Sequence, residues 1–326
     1  MFLSESCDLN YPPESRYKFF LILFQVYIIL PKMNFYYGIE NNYLDITEKV
    51  KSSCINSNNI LVLPADDGHR AAIFTDPLVG IPKHVMMKDE QGNVTIYPGN
   101  QPVCSRIDNG RNVIDELGAV HSKLKCMFGS VLEEYTEQLM ARIFVNPNDT
   151  VLEIGGNIGR NSLNLATIVD NSKLVVLETD PNISRQLIQN RDLNGFTFHV
   201  EDSALSYRKL VQRGWDTYPR ESVDPNALSA YTEVKTITFE ELEAKYNVKF
   251  DTIVADCEGA LYYIFMDNPH VLDNVKLIVM ENDYHDINHK TFVDGILKAK
   301  GFSRSFVQAG GWGCCYNVFY ETWEKK

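Results

Sequence analysis

The sequence has no apolar run long enough to cross a bilayer. Its longest, Phe19 to Leu30 (FFLILFQVYIIL), counts 12 residues and closes on Pro31-Lys32, whereas a helical span needs about 20. A secretory leader is excluded as well, because Glu5, Asp8 and Glu14 stand against Arg16 and Lys18 and no small-residue cleavage site follows. Positive charge is scarce: 31 Lys and Arg against 43 Asp and Glu leave a net charge of −12. Without a basic face to neutralise phosphates, nucleic acid is not an expected partner. Paired cysteines are missing too. The 7 cysteines stand singly apart from Cys314-Cys315, with no C-x-x-C pair, which argues against a zinc site or a disulfide scaffold and for free thiols in a reducing, cytoplasmic setting.

The apolar run fits an interfacial helix, a segment packed on the body, or an extension upstream of the working protein. Met33 follows it at once and opens a foldable stretch, so residues 1–32 are expected to be an N-terminal extension. From 33 to 111 the texture is that of a small β-rich domain. Phe35 to Gly38, Asn59 to Leu63, and His84 to Met87 answered by Val94 to Tyr97 read as strands, the last two as a hairpin. Ile46 to Val50 could open a short helix. Asp66 to Arg70 reads as an exposed polar turn and Pro102 to Arg111 as a linker. Gly129 to Phe144 is predicted to be an amphipathic helix, with Ser130 as N-cap, Glu133 completing a capping box, and Leu132, Tyr135, Leu139 and Ile143 on one face.

What the chain does have is Val151 to Ser162 (VLEIGGNIGRNS), an apolar run ending in an acid, then close-set glycines, then a helical pattern. This is a strand, a tight turn and a helix start. Such a turn lets a ligand approach the backbone and leaves N–H groups free at its mouth. A dinucleotide fingerprint, G-x-G-x-x-G, would need glycine at Asn157 and Arg160, and Glu153 would bring a carboxylate close to the pyrophosphate. An acidic, glycine-rich pocket suits a ligand with no phosphate and a positive centre, as S-adenosylmethionine is. Leu174 to Leu177 is then a buried-type strand ended by Glu178, whose carboxylate can take both ribose hydroxyls. Asp180-Pro181 starts a helix to Asn194, and strands at Phe196 to Val200, Phe250 to Ala255 and Lys276 to Met280 alternate with helical patterns. That alternation predicts an α/β fold with a mostly parallel sheet. Arg208 to Tyr231 has little periodicity and reads as an insertion or lid; Thr236 to Tyr246 reads as a short strand and helix.

Together, Glu153-x-Gly155-x-Asn157-x-Gly159-x-x-Ser162, the acid Glu178, Glu201-Asp202-Ser203-Ala204-Leu205-Ser206, and Asp256-Cys257-Glu258-Gly259 resemble the FkbM-type branch of class I S-adenosylmethionine-dependent methyltransferases, over roughly Val145 to Tyr320. The resemblance implies a Rossmann-like, mostly parallel seven-stranded sheet in a methyltransferase domain spanning 112–326. It also implies a closing hairpin at Phe302 to Val307 and Asn317 to Tyr320. By it, Glu153, Gly155, Asn157, Gly159, Ser162, Glu178, Asp202 and Ser203 hold the cofactor, with Asp202 reading the adenine amine. Tyr135 and Glu133 become candidates for the pocket wall. The implied acceptor is a hydroxyl of a sugar or glycan; protein or small-metabolite methylation and a non-catalytic cofactor-binding module are the alternatives. DNA-base methylation would want an Asn/Asp-Pro-Pro-Tyr-like turn, and Asp256-Cys257-Glu258-Gly259 is not one.

In open α/β sheets ligands lie at the carboxyl ends of the strands, which brings Asp256, Glu258 and Glu281 to His285 to one corner. Methyl transfer to a hydroxyl needs alignment and removal of one proton. His285 is the first candidate base and Asp256 the second, with Glu258 beside them; Cys257 reads as a buried structural thiol. A Mg2+ held by Asp256, Glu281 and Asn282 is an alternative route, but Glu258 and Asp283 crowd the corner without an obvious octahedral set, so the metal-free reading leads. A chain starting at Met33 is expected to keep the melting temperature and cofactor affinity of the full sequence; an insoluble product would place the apolar run in the core.

Overall fold

The computed structural model describes residues 33–55, 60–64, 66–99, 103–106, 113–311 and 313–325. The expected extension at 1–32, with its apolar run, lies outside them. The first strands are β1 (Asn34–Ile39) and β2 (Asn42–Asp45), then helix α1 (Thr47–Ser53), β3 (Ile60–Leu63), α2 (Asp67–Phe74), β4 (His84–Lys88), β5 (Val94–Tyr97) and β6 (Val103–Arg106). An antiparallel sheet runs β2-β1-β4-β5, and β3 pairs with β6. Two expectations change here. Asp66 to Arg70 is no exposed turn: the Asp66 carboxylate accepts from the N–H groups of Gly68 and His69 at 2.7 and 3.1 Å and caps α2. Arg70 turns inward, fully buried, and donates to the carbonyls of Pro64 and Tyr97 at 2.8 and 2.9 Å. Val103–Arg106, expected within a linker, is the strand that completes the β3 ladder.

Next come α3 (Val113–His121), α4 (Tyr135–Phe144), β7 (Val151–Ile154), α5 (Arg160–Leu165), β8 (Leu174–Leu177), α6 (Pro181–Leu193), β9 (His199–Glu201) and β10 (Ala204–Leu205). They are followed by β11 (Leu210–Arg213), β12 (Asp216–Pro219), β13 (Thr232–Val234), β14 (Thr236–Ile237), α7 (Phe239–Tyr246), β15 (Thr252–Ala255), α8 (Leu261–Asp267), β16 (Leu277–Glu281), α9 (Ile287–Ala299), β17 (Phe302–Gln308) and β18 (Tyr320–Lys325). The main sheet has seven strands in the order β17-β18-β16-β15-β7-β8-β9. All pairs from β16 to β9 are parallel, and β18 runs antiparallel to both its neighbours. Side-chain alternation along each strand feeds two cores. Leu152, Ile154, Val175 and Ile253 pack with α7, α8 and α9 residues, whereas Val151, Val176 and Val254 pack with Leu139, Leu163 and Leu187. Ile60 and Leu117 share that second core, so the N-terminal part is joined to the sheet by packing rather than only by chain.

Helix α4 begins later than its sequence pattern suggests. Glu134 adopts φ 56 and no side chain caps the start, so the capping box at Ser130 and Glu133 does not form. Glu133 and Glu134 instead pair with the Arg160 guanidinium, and the Ser130 hydroxyl accepts from the N–H of Leu132 at 3.2 Å. Leu132, expected on the packed face, is exposed. The unpatterned insertion also proves regular: β11 pairs antiparallel with β12 and β13.

The closing hairpin is anchored by charge. Lys290 on α9 is buried and donates to Glu321 at 2.8 Å and to Asp294. The fully buried Glu321 also accepts from Arg304 at 2.7 Å and from the Trp323 indole at 2.9 Å. Removing the lysine leaves a buried carboxylate held chiefly by a half-exposed arginine. Lys290→Met should therefore cost about 3 kcal/mol in denaturant unfolding, and Lys290→Met with Glu321→Leu should regain most of it.

Candidate active site

The centre of the site is the β7–α5 turn. β7 lies between β15 and β8, where the crossovers leave toward opposite edges and open a crevice at the strand ends. Gly155 has φ +88, and a Cβ there would lie 1.6 Å from the Asp256 carbonyl oxygen. Only glycine allows that approach. The N–H groups of Gly155 and Gly156 both donate to the Leu177 carbonyl, at 3.0 and 2.9 Å, tying the turn to β8. Asn157, at φ 47, accepts from the N–H of Ile158 at 2.8 Å through its own side chain. Its backbone N–H donates to Glu178 at 2.8 Å, and the other oxygen of that carboxylate accepts from the N–H of Asp180 at 2.9 Å. Gly159 starts α5 with its backbone against Leu187.

Over these strand ends lies a cavity of about 480 Å³ whose wall includes Gly155, Asn157, Glu178 and Ser203 on one side and Asp256, Glu258, Glu281, Asp283 and Tyr320 on the other. A narrow recess behind the turn holds Glu153 with Glu137, Asp256 and Glu281. A larger groove of about 840 Å³ runs between α1, α2 and β17, away from these strand ends. The 480 Å³ cavity and the recess behind it share the strand ends, the glycine turn and the convergent acids.

Burial governs the charges here. Glu178 is pushed up by desolvation and held back by the N–H groups it accepts from. Glu153 is raised by burial to about 8, with the Ser162 hydroxyl restraining it. Burial, then Asp256 and Glu281, drives Glu137 far above the carboxylate range; burial, then Glu281 and Asp283, does the same to Asp256. Glu281, Asp283 and Glu258 are raised chiefly by burial as well. A positive group entering the cavity would favour the anionic forms of these acids. Cys257 is raised by burial and sits as a neutral thiol.

The structure gathers Gly155, Asn157, Glu178, Ser203, Asp256 and Glu258 around one cavity and puts Glu153 behind it, with Ser162 beside that carboxyl. Asp202 is not brought in: half-exposed, it pairs with Lys235 and is absent from the wall. His285 is also outside. It is exposed on the rim with Asp216 at 3.5 Å. Glu133 points to Arg160 and Tyr135 packs edge-on to His121, so the helix wall is made by Glu134 and Glu137 instead. Glu137, which the sequence pattern does not single out, is buried on α4. Among the described residues, Glu137, Asp256 and Glu281 offer ligand atoms within 4.8 Å of one another, a set that could hold a divalent ion. Asn282 donates its side-chain N–H to the Val318 carbonyl at 2.6 Å, and its Oδ1 is buried without a hydrogen-bond partner.

No family model matches the chain, and no curated protein matches it. Among solved structures, the O-methyltransferase from Bacillus cereus in complex with SAH is similar at 16% identity, over 66% of this chain and 91% of that one, with a TM-score of 0.37. The ribosomal protein L11 methylase from Lactobacillus delbrueckii subsp. bulgaricus follows at 13% identity, 61% and 81% coverage and a TM-score of 0.38. An rRNA methylase from Streptococcus thermophilus stands at 8%, 67% and 98%, with 0.34. No substrate or residue role passes from them to this chain.

The Glu153 carboxyl gives the apo protein a pH signature. Its folded value near 8 exceeds its ordinary 4.5, so the folded state holds the extra proton between those values. Stability is full below about pH 4.5 and falls as pH rises toward 8, by about 1.4 kcal/mol per pH unit for each such proton. Glu153→Gln should flatten that slope in denaturant titrations across the same window.

Proposed function

We propose that the chain is an S-adenosylmethionine-dependent methyltransferase whose acceptor is a hydroxyl, most simply one on a sugar or glycan. The observation that carries the reading is the Glu178 carboxylate, fixed by the N–H groups of Asn157 and Asp180 at the mouth of a glycine turn. It is the arrangement that takes two ribose hydroxyls. The residues present fit the cofactor: a cavity of about 480 Å³ lies in the range of small-molecule sites, and no Lys, Arg or His lines it among the described residues. That lining disfavours pyrophosphate and favours a sulfonium. The glycan acceptor rests on the FkbM-type resemblance; a protein or small-metabolite acceptor, or binding without turnover, is the alternative.

S-adenosylmethionine, when bound, supplies a methyl group on a sulfonium. Glu178 holds the ribose, and the Gly155 to Asn157 backbone gives the chain of the ligand room to pass. Glu134 and Glu137 lie where the positive end can reach them. Asp256 is the group we assign to take the acceptor proton, since His285 stands on the rim, and Glu258 lies beside the acceptor's entry. Glu178→Ala should weaken S-adenosylmethionine binding by about 1.5–3 kcal/mol, roughly 10- to 150-fold, in calorimetry. Preferential binding of a nicotinamide dinucleotide would defeat the reading.

A second reading has its own observation, the close approach of Glu137, Asp256 and Glu281. There Mg2+ would acidify the hydroxyl. In the metal-free route Asp256→Asn should lower turnover by about 100- to 10,000-fold and chelators should do nothing; activity abolished by chelation and restored by Mg2+ would select the metal route.

A further inference from the structure

With Asp202 paired to Lys235 outside the wall, the end of the cavity beyond Glu178 needs another polar group to recognise what lies there. The sheet order β15-β7-β8-β9 sets Asp256, the glycine turn, Glu178 and the segment after β9 side by side, each about 4.8 Å from the next. A nucleoside whose ribose rests on Glu178 and whose sulfur side faces Gly155 therefore lays its base toward β9. Leu177 at the end of β8, Ala204 and Leu205 on β10, and Leu210 on β11 line the same cavity, and apolar side chains suit the faces of a flat ring.

The polar groups of this end differ in what they have left to offer. Thr179 and Gln212 are engaged locally, the Thr179 hydroxyl donating to Gln212 at 3.4 Å and the Gln212 amide to the Gly214 carbonyl at 3.2 Å. Ser203 also lines the cavity, and its hydroxyl donates to Oε1 of Glu201 at 3.0 Å. Glu201 is buried, and its other oxygen accepts from the Lys245 ammonium at 2.5 Å and the Tyr246 hydroxyl at 2.9 Å. A carboxylate only accepts, so the Ser203 proton is directed at Glu201, and any hydrogen bond this hydroxyl makes to a ligand is one in which it accepts. Turning the hydroxyl round would take from a buried carboxylate oxygen the partner it has here, which is costly. The Glu178 N–H donates to the Glu201 carbonyl at 3.0 Å. Glu201 thus holds the ribose acid and Ser203 in one frame.

We propose that Ser203 reads the exocyclic amine of the adenine as a hydrogen-bond acceptor, and that Glu201 is the positioning residue that makes it one. This rests on the methyltransferase reading and deepens it, because the site then selects an adenosyl over an inosyl nucleoside. An amine at C6 donates to the Ser203 oxygen, whereas an oxo group there sets two acceptors face to face. Glu201→Gln turns the polarity round: the amide oxygen stays with the donors Lys245 and Tyr246, and the NH2 faces Ser203. The serine then accepts from the amide and offers its own proton to the ligand.

The test is calorimetry on the full chain with S-adenosylhomocysteine and S-inosylhomocysteine, which differ in the group at C6 of the base and in the proton that goes with it at N1. The adenosyl ligand should bind about 10- to 100-fold more tightly. Ser203→Ala should bring the ratio close to one, and Glu201→Gln should carry it toward the inosyl ligand. A merely structural Glu201 would weaken both ligands alike and keep the ratio, a result that overturns the positioning role. Ser203→Ala removes no buried charge and keeps the test decisive if Glu201→Gln fails to fold. Equal affinity of the unaltered chain for the two ligands, or a ratio unchanged in Ser203→Ala, overturns the inference and leaves the methyltransferase reading standing. Failure of S-adenosylhomocysteine and S-adenosylmethionine to bind the unaltered chain overturns that reading itself.

Discussion

The contact on which the site depends is the approach of the Gly155 backbone to the carbonyl of Asp256. A methyl group at 155 would sit 1.6 Å from that oxygen, far inside any allowed contact, so the ends of β7 and β15 can meet only through glycine. That meeting brings the first acid after β15 under the turn that follows β7. With Gly155 and Gly156 both tied to the Leu177 carbonyl, three strand ends become one rigid edge, and Glu178 is held in place by N–H groups rather than by a flexible partner. Rigid placement suits the roles proposed for Glu178 and Asp256, since a ribose clamp and a proton acceptor must both keep their geometry without help from solvent.

The same edge concentrates carboxylates at a cost. Glu137 comes from α4, Asp256 from β15 and Glu281 from β16, three elements whose packing is otherwise apolar, and burial makes each of them a poor anion. A fold selected only for stability would not gather them, since replacing buried polar groups by apolar ones is commonly neutral or favourable. The contrast with Lys290 and Glu321 is instructive. There a buried carboxylate has two cationic partners and an indole and holds the hairpin; at the strand ends, among the described residues, no Lys, Arg or His lines the cavity, the pattern of a candidate functional site.

Much of this was legible in the sequence, and what escaped has physical reasons. The strand, turn and helix around Gly155, the acid Glu178 and the alternation that builds the sheet are local features, and they stand where the residues put them. The start of α4 was misjudged because Ser130 and Glu133 match a capping box locally, while Arg160, far along the chain, draws both Glu133 and Glu134 away from it. The resemblance makes Asp202 the adenine-reading acid, but Lys235 reaches it from the segment between β13 and β14. His285 follows β16 in sequence, yet the chain beyond the strand end carries it out to Asp216. The misses at Glu133 and Asp202 are long-range ion pairs, the kind of contact that spacing cannot reveal.

Glu137 illustrates the converse. Read alone it is one more acid on a helix, and helix acids are normally solvated. Its position becomes informative only once α4 is laid across the ends of β15 and β16, where the buried Glu137 faces Asp256 and Glu281. No Lys, Arg or His among the described residues lines the cavity beside this group, so its burial lacks the cationic compensation that Lys290 gives Glu321.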